Sequence, residues 1–217
     1  MCADYSIRPY EEWLAFSLES TKDDCENVDI DSARPLVLVG YFERFCRSMH
    51  DPIGEYSLKQ IDESIWKSLC DPFWISDLVT DPELAVAPRE SCIASMYRPF
   101  SEIVAKTPGC LDETDTFYMW WDIVCGSFCT HHAYFERAPF NPPTEDAVRI
   151  HDELLDTLER VLSISEAQSS TCALHGLGHI CHSESARVVQ QYIDTHKGEL
   201  TESDVRWAIK CRDGTVL

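Results

Sequence analysis

The chain has 217 residues, 38 of them acidic and 18 basic, for a formal charge of −20. That length suits one domain or two closely packed halves with a substantial core, and an apolar fraction of 44% with six tryptophans excludes a disordered chain. No Lys/Arg cluster exists to hold phosphate or anionic lipid, so neither nucleic acid nor a membrane is an expected partner, and no apolar run approaches the roughly 18 residues that span a bilayer.

Taken in chain order, the opening MCADYSIRPYEEW lacks the basic and apolar regions of a secretory signal. Eleven cysteines, an odd number at irregular spacing, then predict reduced, buried thiols in a cytoplasmic protein rather than a disulfide framework. Residues 19–32 are acidic and poor in apolar side chains, which predicts a solvated loop; DDCEN at Asp23 to Asn27 shares only its acids with the magnesium motif of terpene cyclases. Phe42, Phe45, Cys46 and Met49 repeat at helical spacing, and PLVLVG before them reads as helix rather than short strand. Ser57 and Gln60 form a capping box for a helix with Leu58, Ile61, Ile65 and Leu69 on one face. Asp71 and Pro72 read as the N-cap and first residue of the next helix.

Ile93, Met96, Phe100, Ile103 and Val104 hold helical register, with a kink expected at Pro99. Phe117, Trp121, Val124 and Phe128 make an aromatic stripe suited to a core. The prolines of ERAPFNPPTED, residues 138–143 above all, mark a boundary between an N-terminal helical half, 1–140, and a C-terminal one, 141–217, packed as one unit. Thr144 caps a helix with Glu145 and Asp146 in its first turn and Val148, Leu155, Leu158 and Leu162 along it. Ser165 with Gln168, then Ser183, then Thr201 read as the caps of three more helices. The middle one turns Val189, Tyr192 and Ile193 inward and has Gly198 beyond its end. Short connections make these four helices antiparallel neighbours. With no strand pairs or glycine-rich phosphate loops, the fold class is all-α.

The helix opened by Ser165 is the one with chemistry. His175, His179 and His182 fall at i, i+4 and i+7 and are expected on one side with Cys172 and Gly176, while Ala173, Leu177, Ile180 and Cys181 face the core. Gly176 and Gly178 each cost roughly 1 kcal/mol in a helix interior and suit a close approach by a backbone or a ligand. One reading is a zinc site on the three histidines, with Cys125, Cys129 and His132 as a second half-site at the same spacing and Asp122 one turn before it, any real site using a subset of these ligands. The preferred reading is structural, with neutral histidines bonding the next helix across the glycines, because no His-Glu-x-x-His, Glu-x-x-His or Cys-x-x-Cys occurs. His151-Asp152 matches the doublet of HD-type phosphohydrolases, with His131 or His132 and Asp194 forced into the remaining roles, and two residues carry little. Cys129 with His131 or His132 is a conceivable thiol–imidazole pair that nothing singles out.

The run CALHGLGHICHSESARVVQQYIDTH resembles one unit of a HEAT-type helical repeat: a helix, a tight Ser-capped turn and a second amphipathic helix. Its ALHGLGH core is similar to a segment of uncharacterised bacterial helical proteins, where it reads as a repeat-packing element. The resemblance covers about residues 166–211 and has no matching unit at fixed period in residues 1–140. It implies an irregular multi-helix domain with a C-terminal HEAT-like hairpin array and a tendency towards protein–protein contact. The functional expectation is a non-enzymatic acidic module without cofactor that binds a basic protein, as an immunity protein or inhibitor would. The alternative is a metal-dependent hydrolase, with zinc, built on His175, His179 and His182. Oligomeric state stays open.

Overall fold

The computed structural model describes residues 4–20, 22–25, 28, 34–49, 56–128 and 142–216. Its elements are helices: α1 (Tyr10–Glu19), α2 (Lys22–Cys25), α3 (Pro35–Ser48), α4 (Leu58–Leu69), α5 (Ile75–Thr80), α6 (Val86–Ser95), α7 (Tyr97–Glu102), α8 (Cys110–Glu113), α9 (Thr116–Phe128), α10 (Glu145–Leu162), α11 (Ala167–His179), α12 (Ser185–Thr195) and α13 (Glu202–Arg212). The fold is all-α, as composition and periodicity require, and none of the described helices is long and apolar enough to cross a membrane.

Local signals place most of these elements. Ser57 and Gln60 make the reciprocal capping box at α4, and Ile61, Ile65 and Leu69 are buried behind it. Thr144 accepts from the Ala147 amide at 3.1 Å to cap α10. Thr201 and Asp204 form a second capping box at α13. On α3 the expected face is fully inward: Phe42, Phe45, Cys46 and Met49 are each at most 1% exposed. The aromatic stripe of α9 is broader than expected, because Trp120 and Cys125 are buried beside Phe117, Trp121 and Val124; the Phe128 side chain lies outside the described residues.

Four expected boundaries move. Asp71 and Pro72 belong to a turn that closes α4, with Phe73 dropped into the core, and α5 starts only after Trp74, which is left-handed at φ 51°. Asp-Pro marks turns as readily as helix starts, and here the turn prevails. The helix around Pro99 breaks at Met96, so that Pro99 sits in the first turn of α7, where its missing N–H leaves no bond unmade. Glu166, not Ser165, caps α11: its carboxylate accepts from the amides of Gln168 and Ser169, both at 2.9 Å. A charged acceptor at a helix N-terminus prevails over the adjacent hydroxyl. Ser183 is exposed and caps nothing, and α12 begins after Glu184 without a side-chain cap. Val148, expected inward, is 41% exposed, because the helical turn puts it at the edge of the face on which Ile150, Leu154, Leu158 and Val161 are buried.

One continuous core joins both halves of the chain. α10 lies on α6 and α7 of the N-terminal half, and α11 lies between α9, α10 and α13. The expected boundary at 138–143 falls largely outside the described residues. α11 is therefore an internal helix, buried at Ser169, Ser170 and every residue from Cys172 to Leu177.

Candidate functional site

The expectation for α11 was one apolar face and one histidine face. Enclosure on several sides replaces that picture, and the helix ends before the third histidine. Its last residue is His179, Ile180 is the C-cap, and Cys181 follows in the left-handed conformation at φ 55°. A left-handed residue one place past the C-cap is the usual helix stop, normally supplied by Gly or Asn. A cysteine there gives no sequence warning. The freed Ile180 carbonyl accepts a hydrogen bond from His151 Nε2 at 2.8 Å, so α10 finishes the end of α11.

His175 and His179 stay together. His175 is 2% exposed, its ring stacked 4.2 Å from the Tyr118 ring at an interplanar angle of 14°. Its Nδ1 lies 3.1 Å from the Tyr118 carbonyl and its Nε2 lies 3.1 Å from His179 Nε2. A carbonyl only accepts, so Nδ1 carries the proton; burial pushes the ring's pKa down, against the pull of the Tyr118 bond, and keeps it neutral. Nε2 of His175 is then a lone pair, and the proton between the two rings belongs to His179. The second nitrogen of His179 faces the Asp122 carboxylate at 3.5 Å. Two residues one turn apart on α9, Tyr118 and Asp122, thus meet two residues one turn apart on α11.

His182 goes elsewhere. Its Nδ1 accepts from the Glu184 amide at 3.1 Å and its Nε2 donates to Asp152 at 3.1 Å, while its ring meets that of His151 edge-on at 4.4 Å. The His151-Asp152 doublet divides: His151 is 2% exposed and pushed down to about 4 by burial, whereas the Asp152 side chain is 61% exposed. Asp194, the fourth residue of that arrangement, accepts from Gln190 on its own helix. Among the described residues no group of three His, Cys, Asp or Glu side chains is disposed to hold a metal ion. Cys129, His131 and His132 lie outside the described residues, as does part of the Asp23–Asn27 run.

The glycines fulfil the close-approach expectation. A Cβ on Gly176 would come within 2.5 Å of Trp121 Cβ and 2.7 Å of Leu158 Cδ2, and one on Gly178 within 2.5 Å of Val216 Cγ1. What approaches Gly176 is core, from α9 and α10. Cys125 and Cys172 are fully enclosed, and burial pushes both thiols far above the ordinary range, so neither supplies a thiolate near neutral pH.

Sequence reasoning missed a cleft of about 340 Å³ at the N-terminal end of α11, between its first turns, the end of α12 and the start of α13, with Tyr192, His196 and Trp207 in its walls. Helical periodicity assigns such residues to a core, and only their partial exposure separates them from it. Comparison with family models, curated proteins and solved structures found no match.

Proposed function

We propose that this protein is a non-enzymatic acidic binding module that engages a basic protein, in the manner of an immunity protein or inhibitor. The observation that carries the reading is where the charge sits. Surface cations are largely consumed in intramolecular pairs, such as Arg44 with Glu11, Arg47 with Glu43, Arg149 with Glu90 and Arg212 with Asp213. Glu145, Asp152, Asp156 and Glu159 share the outer face of α10, a carboxylate row about 21 Å long at 1.5 Å per residue, in which Asp152 also accepts from His182 and Glu159 pairs with Arg187 at 3.5 Å. A field of one sign steers an oppositely charged partner and orients it on arrival. The HEAT-like hairpin reading of residues 166–211 agrees with a contact-making role. The test is a panel of purified basic and acidic proteins offered to the tag-free chain, with the Kd of any binder followed from about 0.05 to 0.5 M salt. Selection of basic proteins with affinity falling at least about tenfold across that range supports the reading. Salt-independent binding, or binding to acidic proteins alone, overturns it.

A metal-dependent hydrolase on the histidine pair is the second reading, and one observation favours it. The Nε2 atoms of His175 and His179 face each other, while their other nitrogens face the Tyr118 carbonyl and the Asp122 carboxylate. Metal-binding imidazoles are commonly oriented by such outer partners. His182 has no part in it. Stoichiometric zinc in tag-free protein, lost in a folded His175→Ala/His179→Ala variant, would put this reading first.

A further inference from the structure

The cleft beside α11 has a chemistry that the surface charge alone does not predict. We propose that it is a receptor for an arginine side chain presented by the basic partner, an inference that rests on the binding-module reading and gives it a specific contact. The cleft, about 340 Å³, is within the range of ligand-sized sites, roughly 300–1,000 Å³. Its walls hold Trp207 from α13 and Tyr192 from α12, both half-buried, with the His196 ring stacked 4.2 Å from Tyr192. Leu174 and Leu200 complete an apolar lining suited to an alkyl stem.

Most of its polar groups present acceptors, beside the Trp207 indole N–H and the Tyr192 and Ser165 hydroxyls, which can donate. The Ser170 hydroxyl is directed at the Ile164 and Glu166 carbonyls, both at 3.4 Å, and the Thr171 hydroxyl donates to Ala167 at 2.9 Å, so the protons of both are spent within the protein. His196 Nδ1 donates to the Tyr192 carbonyl at 3.0 Å, leaving Nε2 as an acceptor in the neutral ring. Glu166 and Asp204 line the cleft while capping α11 and α13, whereas the exposed Glu199 carboxylate makes no hydrogen bond or ion pair among the described residues. Two helix N-termini and one C-terminus also abut the cleft; counting half a charge for each, the three carboxylates still leave a net of about −2.5. Among the described residues the lining has no Lys or Arg. Aromatic faces, acceptors and negative charge together match a guanidinium, which is planar, donates five N–H groups and stacks on rings. An ammonium satisfies the charge but not the planar stacking.

The probe is a fluorescent peptide of alternating Arg and Gly, titrated by anisotropy at low salt, beside matched peptides carrying Lys or the uncharged isostere citrulline. The arginine peptide should bind more tightly than the lysine peptide, and citrulline should lose about tenfold or more. Trp207→Leu should lose about tenfold. Glu199→Gln, a surface change that leaves the core intact, should lose severalfold even if Trp207→Leu does not fold. Glu83→Gln makes the same charge change at an exposed site away from the cleft and should leave the affinity unchanged. Equal losses at Glu83 and Glu199, or equal affinity for Arg and Lys peptides, overturn the cleft while leaving the acidic-module reading intact. No binding of any cationic peptide overturns both.

Discussion

Gly176→Ala tests the packing of α11 most sharply. The added methyl carbon would meet Trp121 Cβ at 2.5 Å, Leu158 Cδ2 at 2.7 Å and Trp121 Cγ at 2.8 Å, all nearer than real carbon atoms approach. Trp121 and Leu158 are both 0% exposed, and Trp121 Cβ is one bond from the backbone, so the helix α9 itself must shift. Overpacking of this kind costs about 3 kcal/mol, at the upper end of the usual range. Replacing a helical glycine by alanine returns about 1 kcal/mol of propensity. The net is a loss of about 2 kcal/mol, which for a chain of this size lowers the unfolding midpoint by about 4–8 °C. Gly40→Ala is the internal control: it sits on the exposed face of α3 with nothing among the described residues within 4 Å of its added carbon, and should gain about 0.5–1 kcal/mol. Thermal and urea unfolding followed by circular dichroism measure both. A Gly176→Ala protein as stable as the wild type would refute close packing at α11.

Other expectations follow from the same contacts. His151 has a folded pKa of about 4, below its unfolded value near 6.5, so stability is held above pH 6.5 and lost as pH falls towards 4; between pH 7 and 5 the wild type should lose about 2 kcal/mol more than His151→Gln in urea titrations. Ser165→Ala should leave stability within about 0.5 kcal/mol, whereas Glu166→Ala, which removes the true cap of α11, should cost about 1 kcal/mol or more on the same measurement. Brief alkylation of native protein with mass-spectrometric readout should modify Cys25, Cys70 and Cys181, which are partly exposed, and spare Cys46, Cys92, Cys125, Cys172 and Cys211 until denaturant is added. For Cys211, burial pushes the thiol up to about 12, a further barrier to modification.

The sequence reveals elements whose information is local. The Ser57–Gln60 box, Thr144, Thr201 and the periodicity of Phe42 to Met49 all reappear because a cap or a stripe is settled within a turn or two. The candidate site was legible only in part. Its residue pairs, Asp122 with His179 and His175 beside it, could be named from spacing, since helices presenting groups at i and i+4 can meet in register. Their burial could not be, because α11 looks amphipathic in isolation and becomes internal only when α9, α10 and α13 close around it. The separation of His182 was hidden for a different reason. The helix stop at Cys181 depends on a left-handed residue and on His151, thirty positions upstream, taking the last carbonyl. The cleft at Trp207 has no local signature in the sequence, because exposure of an aromatic residue is a tertiary property.

His175 and His179 belong to the packed framework of α9 and α11, and the binding function belongs to the surface around them. Imidazole nitrogen–proton correlation spectra of tag-free protein, recorded with and without an equivalent of zinc, test that division directly. The expected spectrum has His175 neutral, protonated on Nδ1, and unmoved by the metal. A coordinated shift of the His175 and His179 Nε2 resonances on adding zinc would contradict it.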